Sequence, residues 1–201
     1  MINMENDKKL KNSLEKDINY TSRNYANMYD RLLLRDNVSK FFIVYYSIIA
    51  IVNSILPKYI QDIANKSYIF DFSSVIISII LLVVSLSVSL ANYPERKLKA
   101  MIALDKLKRM KKDIGIYSED ELVVDKHKLF KEITQKYHEI VDNMELRSDY
   151  DYYKTCKSLN TDRERFNIGQ CIKVCSLHII EILIYLALTI LPVVFYFYMF
   201  K

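Results

Sequence analysis

Three side chains that can bind metals lie close together near the C-terminus. Cys171, Cys175 and His178 follow one another at spacings of four and three residues, which places them on one face of a helix. A structural zinc site normally needs a fourth ligand, and none is evident nearby, so we favour reduced thiols and expect no bound metal. All three cysteines of the chain fall in segments expected on the cytoplasmic side or at its interface, where disulfides are rare. They are Cys156, Cys171 and Cys175.

Glu181 is an ionisable residue at the start of a long apolar run, and His178 stands three residues before it on the same helical face. An ionisable group on a membrane helix is costly unless it is paired or hydrated. One interpretation is a gating or proton-sensing pair. The other, which we favour, places Glu181 at the inner membrane interface, where headgroup water solvates its carboxylate.

A row of polar side chains runs through another apolar stretch. Residues 72–94 contain no charge, and at about 100° per residue most of their Ser and Asn residues share an arc of roughly 60° with residues at both ends. We name this row the polar seam; it consists of Asp71, Ser74, Ser78, Ser85, Ser89, Asn92 and Arg96. Nothing drives Ser or Asn towards lipid, so the seam is expected to face another helix or water. It therefore predicts either close packing against the first apolar run or a water-filled path enclosed by several copies.

Three charge-free runs, at residues 41–57, 72–94 and 182–200, approach the length of about 20 residues with which a helix crosses a bilayer. Lys and Arg cluster before the first run and after the second, whereas the loop between these runs has only Lys58 and Lys66. By the positive-inside rule this pattern predicts the orientation of a multi-pass membrane protein. Its N-terminus is expected in the cytoplasm and its C-terminus, at Lys201, outside.

The composition argues against several classes of function. The formal net charge is +5, but the Lys and Arg residues concentrate beside the apolar runs, where topology and anionic lipid headgroups explain them. We therefore expect no direct nucleic-acid binding. The chain has only two glycines, Gly115 and Gly169, and no glycine-rich phosphate loop or nucleophile motif. It is expected to have no cofactor, no catalytic residue and no enzymatic activity.

The apolar runs and the helical periodicity between them predict an all-α membrane protein. A transmembrane helical hairpin continues into a cytoplasmic helical hairpin, and a third transmembrane helix follows at the C-terminus. The predicted segments are an amphipathic approach helix at 1–39, the transmembrane hairpin at 40–94, a cytoplasmic helical region at 95–173 and the third transmembrane helix at 174–201. The second span is expected to continue past Pro94 with a kink, Gly115 to stop that helix, and a capping box at Ser118 to open the next one.

Three segments carry a resemblance to a known family: RNYANMYDRLLLRDNVSKFF, ANYPERKLKAMIALDKLKRM and KYHEIVDNMELRSDYDYY. The chain resembles the SLATT family, membrane effector domains of prokaryotic conflict and antiviral systems, and is most similar to the branch associated with reverse transcriptases. The resemblance implies an effector that permeabilises the membrane once infection is sensed. It also implies a regulatory surface at Asn143, Glu145, Asp149 and Tyr150, which are otherwise explained as a solvated helix end.

Our leading hypothesis is a homo-oligomeric membrane effector in which the seam lines a water-filled path across the lipid bilayer. Its partner in defence would be a reverse transcriptase or a nucleotide second-messenger synthase. A first alternative is a membrane-anchored scaffold or receptor that holds a cytoplasmic enzyme without conducting ions. A second alternative is a proton-coupled transporter or intramembrane enzyme that uses His178 and Glu181.

Overall fold

The computed structural model describes residues 2–59, 67–119, 126–145, 148–159 and 168–200. These residues form six α-helices, and the described part of the chain contains no β-strand. The helices are α1 (Ile2–Tyr59), α2 (Ser67–Ala91), α3 (Tyr93–Glu119), α4 (Lys126–Asp142), α5 (Asp149–Leu159) and α6 (Ile168–Phe200).

The approach helix and the first span form one continuous helix, α1, rather than two elements. Its N-terminal part buries one amphipathic face, as the periodicity of apolar residues predicts. The buried apolar residues of that face are Leu14, Ile18, Tyr25, Met28 and Leu32. Pro57 lies in the last turn of α1, so the helix hydrogen bond that its missing N–H removes is close to the end of the helix.

The helix is interrupted at Asn92, between α2 and α3, and not at Pro94. Asn92 has a φ of 46°, in the left-handed region that Asn tolerates better than most residues, and its N–H donates to the Ser89 carbonyl at 3.3 Å. Pro94 is the second residue of α3, where a missing N–H costs nothing because first-turn donors have no partner within the helix.

The prediction that Gly115 stops the helix is wrong, because α3 continues through it to Glu119. Glycine inside a helix costs only about 1 kcal/mol relative to alanine, and the fully buried Ile114 holds this part of α3 against the core. The capping box predicted at Ser118 also fails, since Ser118 is helical and the next described helix starts at Lys126. The sequence contains a second capping-box pattern, Thr161-Asp162-Arg163-Glu164, which predicts the start of another helix but lies outside the described residues.

Contacts divide the chain into two compact units. The polar unit comprises Met1–Leu32 and Glu95–Val174, and the apolar unit comprises Leu33–Pro94 and Cys175–Lys201. Three helices are long and apolar enough to cross a membrane, within Lys9–Tyr59, Ser67–Ile116 and Ile172–Tyr198. The protein is therefore an all-α membrane protein, as its sequence predicts.

Two clusters of buried residues form the core of the apolar unit. In one, Phe42, Tyr46 and Ile49 of α1 pack against Ile77 and Leu81 of α2, and against the α6 residues Tyr185, Leu188 and Tyr196. In the other, Phe70 of α2 packs against Leu56 and Phe195. The second half of α1 thus packs against both α2 and α6.

Candidate functional site

The polar seam lies mainly on the exposed surface of α2. Asp71, Ser78, Ser85, Ser89 and Asn92 are exposed, while Ser74 and Arg96 are half-buried. The face that α2 uses for packing carries Phe70, Ile77 and Leu81, centred about 70° around the helix from the seam. The contacts of α2 within the apolar unit therefore leave most of the seam uncovered.

A serine next to the seam, rather than a member of it, makes the polar contact between α2 and α1. The amide of Asn53, a fully buried residue of α1, donates to the Ser73 hydroxyl at 3.0 Å. The Tyr196 hydroxyl of α6 donates to the carbonyl oxygen of the same amide. Asn53 thereby connects all three apolar helices, and its central role was not predicted from the sequence.

Two tyrosines of α1 attach this helix to α6 at the turn before Pro192. Because Pro192 has no N–H, the carbonyl of Leu188, four residues earlier, loses its helix hydrogen bond. The Tyr46 hydroxyl donates to that carbonyl at 2.7 Å, and the Tyr45 hydroxyl donates to the adjacent Thr189 carbonyl at 3.0 Å. Side chains of α1 thus replace the hydrogen bond that proline removes from α6.

Glu181 is held by a residue that the sequence analysis did not connect with it. Arg35 of α1 donates through Nε to Oε1 at 2.9 Å and through a terminal nitrogen to Oε2 at 3.2 Å. The Tyr185 hydroxyl donates to Oε1 at 3.1 Å, whereas Nδ1 of His178 lies 3.8 Å from Oε2. The nearest counter-ion of this carboxylate is therefore the guanidinium. The gating or proton-sensing role of His178 and Glu181 stays a prediction.

A buried ion pair stands at the centre of the polar unit. Asp151 of α5 is fully buried, and Arg31 of α1 donates to both of its carboxylate oxygens, at 3.0 and 2.8 Å. Ser148 caps α5, because its hydroxyl accepts from the Asp151 N–H at 3.2 Å and donates to the Asp151 carboxylate at 2.8 Å. The Asn27 amide of α1 donates to the Thr155 hydroxyl one turn further along α5, at 2.8 Å.

Two further hydroxyl contacts join α1 to neighbouring helices of the polar unit. The Thr21 hydroxyl lies 2.7 Å from the Tyr137 hydroxyl of α4, and the Tyr20 hydroxyl lies 3.1 Å from the buried Cys156 thiol of α5. Burial, followed by the hydrogen bonds with Cys156 and Tyr152, raises the pKa of the Tyr20 hydroxyl, so this group stays protonated. The polar side of α1 is thus fixed by specific pairs, which is typical of helices that must keep one register.

The four residues of the predicted regulatory surface have separate surroundings. Glu145 forms a two-point ion pair with Arg96 of α3, at 2.7 and 2.9 Å. Asn143 follows the end of α4 and donates its amide to the Glu139 carbonyl at 2.8 Å. Asp149 is exposed in the first turn of α5, and Tyr150 is half-buried. Arg96, a seam residue, is thus engaged by one member of this surface.

The described residues contain no group of three or more His, Cys, Asp or Glu side chains placed to hold a metal ion. Cys156 is buried and Cys175 is exposed, both as free thiols, and the side chain of Cys171 lies outside the described set.

The three apolar helices and the seam define a helical membrane protein whose second span presents hydroxyl groups on its surface. The chain belongs to the SLATT family, since the model of SMODS and SLOG-associating 2TM effector domain family 5 matches residues 7–199. This match covers all three apolar helices and extends beyond residues 20–155, which carry the resemblance in the sequence. No curated protein and no solved structure shows significant similarity to the chain. Family membership makes the chain a membrane effector of conflict systems.

Proposed function

We propose that this chain is the membrane effector of a prokaryotic antiphage defence system, and that several copies associate through α2 and permeabilise the inner membrane when activated. Membership of a two-transmembrane effector family supports the general role. The exposed polar seam supports the particular mechanism, because hydroxyl groups on a lipid-facing surface are better placed against water or another helix.

One observation carries the proposal: α2 is the apolar helix with the least cover from the rest of the chain. In the most apolar 18-residue stretch of α2 no residue is buried. In the corresponding stretch of the first span, 22% is buried. Side chains such as Ser78, Ser85 and Ser89 are therefore exposed within one copy. Neighbouring copies around a shared axis would cover the flanks of α2 and leave its hydroxyl row facing the interior.

Three helices in one copy cannot enclose a continuous column of water, so the path requires a ring of several copies. The pattern of Lys and Arg favours a cytoplasmic N-terminus and polar unit, with the C-terminus outside. The activating partner is another protein of the same defence system, either a reverse transcriptase or a nucleotide second-messenger synthase.

Cysteine accessibility in activated cells tests the proposal. Ser85→Cys should react with a membrane-impermeant thiol reagent, whereas Val83→Cys, at nearly the same depth on the opposite side of α2, should stay unmodified. Ser85→Leu should lower conductance in planar bilayers, and Val83→Leu should leave it unchanged. If Val83→Cys reacted and Ser85→Cys did not, the seam would not line an aqueous path.

The scaffold or receptor remains a second candidate, because the polar unit has its own buried core and a buried ion pair, as expected of a domain that binds a partner. Stable co-purification of a soluble partner together with unchanged membrane potential after induction would favour it. The third candidate, a proton-coupled transporter or intramembrane enzyme, requires Glu181 to exchange protons. The two-point contact with Arg35 supports a structural role for this carboxylate instead.

A further inference from the structure

A trough with basic rims runs between α3 and α4 in the polar unit. Its volume is about 550 Å³, within the range of about 300–1,000 Å³ that is common for ligand sites. Its floor is aliphatic and includes Ile102, Ala103, Met110, Ile140 and Met144. The lining residues of α3 extend from Lys99 to Met110, which corresponds to about 16 Å along a helix axis.

The rims of this trough carry an excess of positive charge. Lys99, Lys106, Arg109 and Lys136 line it, and Glu139 is the single acidic lining residue. Lys99 and Arg109 each have a carboxylate partner one turn earlier on α3, namely Glu95 and Asp105. Among the described residues, Lys106 on the α3 rim and Lys136 on the α4 rim have no carboxylate partner.

The side chains on the floor of the trough indicate which class of anionic ligand fits it. The lining contains no aromatic side chain, so a nucleotide base would find no stacking surface. Met110 and Met144 are flexible and polarisable, and methionine-rich grooves characteristically receive the apolar face of a helix. The length of the trough, the two helices that line it and its charge all match an amphipathic helix of about three turns that carries acidic residues on both flanks.

We propose that this trough is the docking site for an acidic amphipathic helix of a partner protein, with Lys106 and Lys136 pairing with its flanking carboxylates. The occupant's Leu, Ile or Met side chains cover Ile102, Ile140 and Met144, while its carboxylates meet the two rims. Asn143, one of the residues of the predicted regulatory surface, lines the same trough. The inference goes beyond the proposed function, because such docking can occur whether or not the chain conducts ions.

A binding measurement on the full chain in phosphatidylcholine nanodiscs tests the site. The probe is a fluorescein-labelled helical peptide of about 14 residues, with Leu and Met on one face and Glu on both flanks. Fluorescence anisotropy should show saturable binding that weakens with salt. Lys106→Glu combined with Lys136→Glu should raise the Kd by about tenfold or more, since two attractive contacts become repulsive. A peptide with Lys in place of Glu should then prefer the double variant.

Two controls separate docking from general attraction between charges. Lys108→Glu combined with Lys112→Glu changes the net charge of the chain by the same amount, at exposed positions of α3 that do not line the trough, and should leave the Kd within about twofold. Ile140→Gln, which alters the floor without changing charge, should weaken binding of the acidic peptide. Circular dichroism of each variant checks that the helices are intact.

Equal binding of the peptide to wild type and to the Lys106→Glu/Lys136→Glu variant would overturn the proposal, as would equal losses in the two double variants. The same nanodisc assay with phosphatidylglycerol vesicles in place of the peptide tests a membrane surface as the occupant. If the trough lysines controlled vesicle binding and not peptide binding, the proposed helix would be the wrong occupant.

Discussion

Arg31 holds the fully buried carboxylate of Asp151 through two nitrogen atoms, with Nε 3.0 Å from one oxygen and a terminal nitrogen 2.8 Å from the other. One turn further along α1, Arg35 holds Glu181 in the same two-point manner. The first pair belongs to the polar unit and the second to the apolar unit. Adjacent turns of one helix therefore provide the main ion pair of each unit.

Replacing Arg31 by Met should lower the free energy of unfolding of the polar unit by about 3–5 kcal/mol, because it leaves the Asp151 carboxylate buried without a counter-ion. Adding Asp151→Asn should recover most of this loss, since the second change removes the buried charge. Thermal unfolding followed by circular dichroism in detergent measures both effects. Arg109→Met removes an exposed pair with Asp105 and should cost less than about 1 kcal/mol. A loss for Arg31→Met no larger than this control would contradict the prediction.

Tyr46→Phe should destabilise the apolar unit by about 1 kcal/mol, because the Leu188 carbonyl freed by Pro192 then has no donor. In a Pro192→Ala background the same change should cost clearly less, since the N–H of the new residue satisfies that carbonyl within α6. A double-mutant cycle, measured by denaturant titration in micelles, gives the coupling between the two positions. Additive effects would show that the tyrosine does not compensate for the proline.

Asn24→Leu should raise the thermal unfolding temperature of the polar unit. Asn24 is 1% exposed, and neither polar atom of its amide has a hydrogen-bond partner among the described residues. Removing a buried unsatisfied amide should stabilise the fold by about 1–3 kcal/mol, provided that leucine fits the same volume. Asn27→Leu is the matched control and should destabilise, because Asn27 donates to Thr155. Equal shifts for both variants would contradict this account.

Glu181→Gln should leave membrane permeabilisation on activation largely intact and lower stability by about 1 kcal/mol, because it weakens the contact with a partly exposed Arg35. Arg35→Gln added to this variant should restore part of the stability, since it removes the uncompensated charge. Dye uptake after induction and thermal unfolding measure the two properties. Loss of all activity with unchanged assembly would instead support the proton-coupled candidate.

Apolar periodicity predicted much of the fold because its cause is local. Apolar residues recur mostly at spacings of three or four along the N-terminal part of α1, and Ile18, Met28 and Leu32 are fully buried as that pattern predicts. Helix ends were predicted less well. Glycine and proline commonly end helices, yet core packing beside Gly115 keeps α3 continuous. Pro94 lies in the first turn of α3, where a helix tolerates proline. The sequence identifies Asn92 as a polar residue of the seam, but it does not predict the positive φ of this residue.

The polar seam too is predicted by the sequence in part and determined by helix packing in part. The order of hydroxyl groups along α2 follows from the sequence alone, since residues spaced by three or four share one face of any helix. Which side of α2 packs against its neighbours does not follow from the sequence. That side, with Ile77 and Leu81, is determined by α1 and α6.

The sequence by itself determined that the chain is helical, that it contains three apolar segments long enough to cross a bilayer, and that it resembles a membrane effector family. These properties depend on residue type and spacing within one segment. Only the tertiary structure decided which residues are partners. Arg35 and Glu181 lie 146 residues apart in the sequence, and Asn53 and Tyr196 lie 143 residues apart. Such pairs form only when helices pack, because a buried charge or amide must find a partner among the side chains that packing brings near it.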